Sequence, residues 1–133
     1  MQRNVYEVIY VRLQQMGIID ENGIMHSDFM KFTSPGLMDL SVDRLIENTI
    51  ALAHNGIQNG DVMADSGVVV RIYPETKITE DLTFQNDYLG IYQEVYSEPG
   101  KYYPKLKEEL NEFLNEWLQN MIEVQKYELV EKE

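Results

Sequence analysis

The strongest constraint on this chain is the run "PKLKEELNEFLNEWLQNMIEVQK", residues 104–126. Leu106, Leu110, Phe113, Leu114, Trp117, Leu118 and Met121 recur at i, i+3, i+4 and i+7 spacing, which places them along one side of an α-helix. Glu108, Glu109, Glu112, Glu116 and Gln119 fill the other side. Pro104 stands in the first turn, where its missing N–H has no helical partner to lose. About 22 residues at 1.5 Å each make a rod of roughly 33 Å. That is long for a chain of 133 residues, and the stripe must cover a sheet face or meet a partner.

Upstream, residues 4–16 predict a second helix. Asn4 and Glu7 form an N-x-x-E capping box, Val5, Ile9, Leu13 and Met16 share one face, and Gly17 is placed to end it. "DENG", residues 20–23, is a turn between Ile18/Ile19 and Ile24/Met25, either a small hairpin or a simple reversal. Residues 26–36 read as irregular, broken by Ser34, Pro35 and Gly36. Residues 37–55 carry two patterns. Met38, Leu40 and Val42 alternate with polar residues, as do Ile50 and Leu52, which gives two strands about a turn at 47–49. Val42, Leu45, Ile46, Ile50 and Ala53 also fit one helical face; the strand reading is preferred. "VVVRIY", 68–73, is a strand, because three β-branched valines in a row have stiff χ1 angles. "ITEDLTF" (78–84) and "IYQEVY" (91–96) supply two more, with "PETK" and "QNDYLG" as reversals. "SEPGKYYP" closes the sheet region. The expected architecture is a single α+β domain over residues 1–133: an N-terminal helix, an antiparallel meander of four to five strands, and a long C-terminal amphipathic helix packed on the sheet.

Charge narrows the partners. There are 23 acidic residues against 11 basic ones, a net charge of -12, with no long acidic run. Such a surface repels phosphate backbones and anionic lipid, so no direct nucleic-acid partner and no membrane partner are expected. The plain reading is solubility in a cytosol. The sharper one is imitation of nucleic acid in the basic groove of another protein. The chain has no cysteine, so disulfides, thiolate nucleophiles and Cys-based zinc sites are excluded. Its first residues lack the pattern of a signal peptide, and no segment reaches the ~20 apolar residues that span a bilayer. A cytoplasmic location is expected.

Candidate chemistry concentrates in "ALAHNGIQNGDVMADSGVVVRIY", residues 51–73. Between its apolar ends lie His54, Gln58, Asp61 and Asp65, with Arg71 on the following strand. These five are the candidate ligand-binding residues. His54 is placed at a strand end facing a polar loop, either as a proton-transfer group or metal ligand, or as a histidine bonded to backbone; the second is favoured. Asp61 and Asp65 are oxygen donors of the kind that hold calcium or magnesium. However, "DVMADSG" lacks the middle ligand of a calcium loop and Ile72 falls at its twelfth position, so no metal is expected. "QNG" is a turn signal in its own right, with Asn59-Gly60 suited to positive φ. Arg71 is expected on the wet face of its strand, paired with Asp61, Asp65 or Glu80. Two histidines cannot build a three-histidine metal site, and the motifs G-x-S-x-G, G-x-G-x-x-G, H-E-x-x-H and the phosphate-binding loop are missing. No catalytic residue and no cofactor are expected.

The chain has nine tyrosines. Tyr92, Tyr96, Tyr102 and Tyr103 crowd the last strand and its flank, and they are candidate partner-binding residues. A core or strand role explains them equally simply. Glu94 and Glu98 argue against stacking on single-stranded bases, which needs basic neighbours.

The stretch "ALAHNGIQNGDVMADSGVVVRIYPE", residues 51–75, with "YPKLKEELNEFLNEWLQNM", resembles the YqiB-like proteins, a family of small uncharacterised bacterial domains of unknown function. The likeness rests on a V-x-V-R-hydrophobic-Y strand followed by an LNxFLxxWL helix, and it covers residues 35–121. His54, Gln58, Asn59, Gly60, Asp61 and Asp65 match the family's loop pattern. Asn55 and Ser66 stand where that pattern has tyrosine and proline. The resemblance implies two strands over 37–55 and no established activity, substrate or cofactor. Taken together, the sequence points to a non-enzymatic interaction protein whose partner is a protein, a second copy of the chain included. The alternatives are a nucleic-acid-mimicking inhibitor and a small-ligand or enzyme domain. The last requires His54, Gln58, Asp61 and Arg71 to converge on one pocket.

Overall fold

A computed structural model describes residues 4–58 and 61–133, with side chains omitted for residues 57, 58 and 61–64. The first helix, α1 (Val5–Met16), begins as its sequence dictates. Asn4 Oδ1 accepts the Glu7 N–H at 2.9 Å, and Glu7 Oε1 accepts the Asn4 N–H at 3.3 Å. Gly17 ends it in the left-handed conformation, φ 82°.

Eight antiparallel strands follow among the described residues: β1 (Phe29–Thr33), β2 (Asp39–Ile46), β3 (Thr49–Gln58), β4 (Asp61–Tyr73), β5 (Ile78–Asp81), β6 (Thr83–Asn86), β7 (Ile91–Glu94) and, after the second helix, β8 (Glu128–Lys132). The spatial order is β7-β6-β4-β3-β2-β1-β8, with β5 also on β4. The second helix, α2 (Pro104–Gln119), runs on into a wider π-helical turn, Asn120–Val124.

The α+β class and the terminal helices agree with the sequence pattern, and residues 37–55 are two strands paired antiparallel. Four expectations are corrected. The "irregular" stretch 26–36 contains β1, whose Met30 and Phe32 point into the core. "ITEDLTF" is two strands, both on β4, interrupted at Leu82, after which β6 also takes β7 as its partner. The strand count is therefore eight, not four to five, and β8 adds a sheet edge beyond α2. The long loop between residues 54 and 67 is mostly ladder: β3 runs to Gln58 and β4 starts at Asp61, with Gln58 facing Asp61. The proposed Asn59-Gly60 turn lies outside the described residues.

One face of the sheet carries the core. Phe32, Leu40, Val42, Ile50, Leu52, Val68, Val70 and Ile72 are all buried and share one cluster with Ile9 and Leu13 of α1 and Leu114, Trp117 and Leu118 of α2. Removing each such side chain from water contributes about 1.5–3 kcal/mol. The two helices lie side by side, and Arg12 Nε donates to Asn115 Oδ1 across them at 2.8 Å. A polar joint ties α2 to β5. Asn111, with no exposed surface, accepts the Asp81 N–H at 2.8 Å and donates to the Lys107 carbonyl at 2.7 Å.

Candidate functional site

His54 does not face a polar loop. The β3–β4 register slips between Ala53 and Asn55, and His54 continues the inward row of Ile50 and Leu52. Its ring stands edge-on to Trp117 at 4.8 Å and stacks on Tyr127 at 5.5 Å. Tyr127 is pinned in turn, its hydroxyl donating to the Met38 carbonyl at 2.7 Å. The His54 Nε2 is buried without a hydrogen-bond partner among the described residues. Burial holds the imidazole's pKa below the ordinary 6.5, opposed in part by the Asp65 carboxylate. His54 is a neutral ring wedged between sheet and helix.

Asp65 is engaged elsewhere. Its Oδ1 accepts from Asn86 Nδ2 at 3.1 Å, which joins β4 to β6. Arg71 lies six residues further along β4, about 20 Å away at the rise of a strand. It is exposed, over the Tyr73 ring at 5.8 Å, and opposite Glu80 in register. Glu80 pairs with Lys107 at 2.7 Å instead. So β4 holds Arg71 far from His54, and the required convergence fails on strand length alone. Gln58 and Asp61 face each other at the end of the hairpin, with side chains outside the description. Among the described residues no three acidic or histidine side chains gather where a metal would sit.

A second region carries more of the unassigned surface. All four residues of β7 are exposed, and no named strand lies on its outer side. After it the chain turns back, with the Val95 carbonyl accepting the Tyr103 N–H at 3.0 Å. This packs the 96–103 segment over Glu80. Tyr96 donates to Glu80 Oε2 at 2.7 Å, and its ring lies 5.8 Å from that of Tyr102. Lys107 reaches the same carboxylate while sitting 5.4 Å from the Tyr6 ring and 5.7 Å from that of Tyr102. The bond to Glu80 raises the Lys107 pKa, so the ammonium stays charged. Burial raises Tyr96 and Tyr92, with Glu80 and Glu94 adding to the respective shifts, so both remain phenols at neutral pH.

Tyr96 and Tyr102 are thus partly committed to the fold. Tyr92 and Tyr103 are 58% and 55% exposed, and the Tyr92 hydroxyl bonds only within its own strand, to Glu94. They line an open cleft of ≈ 730 Å³ with Leu106, Glu94, Lys105 and Glu109. The sequence names Glu80 only as a partner of Arg71 and gives no sign of Lys107 or Tyr6, because Lys107 looks like any lysine of a charged helix and its partner is 27 positions away.

The model of one protein family matches residues 9–128. The chain belongs to that family, described as Domain of unknown function (DUF6908). The DUF6908 match runs from within α1 to the first residue of β8, so it takes in the sheet, the His54 wedge and the tyrosine cleft alike. An uncharacterised family is what the sequence resemblance implied. No curated protein matches the chain, and no solved structure does.

Proposed function

We propose that this chain is a non-enzymatic protein-interaction domain, and that Tyr92 and Tyr103 beside β7 form its contact surface. One observation supports the reading above the rest: a sheet edge with no further strand among the described residues, every residue of it exposed, runs along a cleft walled by two half-exposed tyrosines. Tyrosine supplies large contact area at low entropic cost and is enriched where binding energy concentrates. The partner is a different protein, since each copy carries a net charge of -12 and self-association through an acidic face is opposed. A cytosolic setting and a kinship to the YqiB-like bacterial proteins belong to the same proposal, on the charge and the motifs given above. No helix among the described residues is long and apolar enough to cross a membrane.

The test compares three forms of the chain as bait in an extract of its host. These are the wild type, a Tyr92→Ser/Tyr103→Ser double variant, and a Leu129→Ser/Val130→Ser control at the opposite edge. A protein retained by wild type and control but lost with the tyrosine variant supports the reading. Identical sets of retained proteins on all three baits overturn it.

A further inference from the structure

We infer that the β7 edge takes up an extended, basic segment of the partner as a short added strand, with a lysine or arginine side chain entering the cleft between Tyr92 and Tyr103. This rests on the interaction reading above and adds the chemistry of what is bound.

The backbone argument comes first. In an antiparallel pair, alternate residues turn their N–H and C=O groups towards the neighbouring strand. With β6 on one side only, half of β7's main-chain groups face outward and offer a template for another strand. Edges are guarded by charged side chains, proline, bulges or shortness; Ile91–Glu94 is short and carries one charge, Glu94, with no lysine, proline or bulge. The opposite edge is different, since β8 carries Glu128, Glu131 and Lys132. The added strand is short. Just beyond β7 the Val95 carbonyl already accepts from Tyr103, so pairing stops after about four residues, some 13 Å.

The side-chain argument sets the charge. Glu94 and Glu109 line the cleft against one cation, Lys105. The Glu109 side chain makes no hydrogen bond or ion pair among the described residues. The molecule satisfies a related set internally a few ångströms from this surface, where the Lys107 ammonium lies over two tyrosine rings with Glu80 as counter-ion. At β7 the rings are present with two carboxylates, Glu94 bonded to the Tyr92 hydroxyl and Glu109 open, and the cation is supplied by the partner. Long-range attraction to a chain of net charge -12 favours the same sign.

The experiment is an NMR titration of the full ¹⁵N-labelled chain with three synthetic six-residue probes: alternating Lys-Val, alternating Glu-Val, and Lys-Val with alternate amides N-methylated. The first is expected to shift the amides of Ile91–Glu94 and Tyr103 saturably. The second is expected to leave them unmoved, and the third to bind at least about tenfold more weakly because it cannot complete the ladder. Tyr92→Leu and Tyr103→Leu, both at exposed positions, should each weaken the first probe about two- to fivefold. Equal shifts by Lys-Val and Glu-Val overturn the cationic choice. Undiminished binding of the methylated probe overturns strand addition. Shifts at β7 that grow with protein concentration alone assign the edge to a second copy and overturn it too. No shift at β7 with any probe overturns this inference, while the bait comparison judges the interaction reading separately.

Discussion

Replacing His54 by phenylalanine keeps a ring between Trp117 and Tyr127 and removes the imidazole, the group of that wedge whose proton is at stake between pH 8 and pH 5. The sign of the effect follows from burial, which lowers the folded imidazole's pKa below 6.5. Well above pH 6.5 neither the folded nor the unfolded chain holds a proton there, so the residue adds no pH dependence. As the pH falls below 6.5 the unfolded chain binds the proton first. The wild type therefore loses stability relative to His54→Phe by at most about 1.4 kcal/mol per pH unit until the folded pKa is reached. Asp65 draws that pKa back up and so narrows the window. For a domain of this size the slope corresponds to roughly 4–6 °C in Tm per pH unit. Urea unfolding of both proteins from pH 8 to pH 5 measures it directly. Trp117, the single tryptophan, sits against the ring in question and reports the transition by fluorescence. Parallel stability curves for the two proteins over that range would refute the argument, and so would a variant that loses more than the wild type on acidification.

Asp81 runs the opposite way. Its carboxyl is buried and pushed well above 3.8 by desolvation, so Asp81→Asn should gain on the wild type as pH rises from 3.8 through the folded pKa, then level off; a flat difference in urea midpoints sinks this. Asn111→Leu leaves the Asp81 N–H unpaired in a fully buried place and should cost about 1–3 kcal/mol at an unchanged denaturant slope, and a loss below about 0.5 kcal/mol counts against the joint. Gly23→Ala and Gly36→Ala both ask alanine to adopt φ near +78°, costing about 1–2 kcal/mol each. Only at Gly23 does the new methyl also meet the buried Tyr10 hydroxyl, so its Tm should fall further than that of Gly36→Ala, and equal shifts would deny the contact.

What was legible in the sequence was local. The Asn4–Glu7 box and the α2 stripe depend on spacings of three and four residues, and both stand as read. The end of α2 was not legible. Met121 is still in phase with the stripe, while the Tyr127 N–H bonding to the Met121 carbonyl closes the turn from beyond it. β8 shows no alternation at all, since every residue is exposed, and it is a strand because β1 is beside it. His54 misled for the same reason. Its neighbours in sequence are polar, but a register slip and two aromatic rings from distant segments put it inside. Nor does a strand pattern say whether a strand is central or at an edge, which is what separates Tyr92 from a packed tyrosine.

The pairing of β1 with β8 has a consequence for how the chain is made. Met30 lies opposite Lys132, 102 positions along the chain. At ribosomal speeds β1 waits about 5–20 s for that partner. The hairpins formed by β2, β3 and β4 need no such wait. For that interval Phe29–Thr33, with two core residues in five, is the open rim of an otherwise assembled sheet. Two nascent chains on neighbouring ribosomes offer each other the same rim. The moment of greatest danger in this protein's life therefore falls during its synthesis, and it passes when β8 reaches β1.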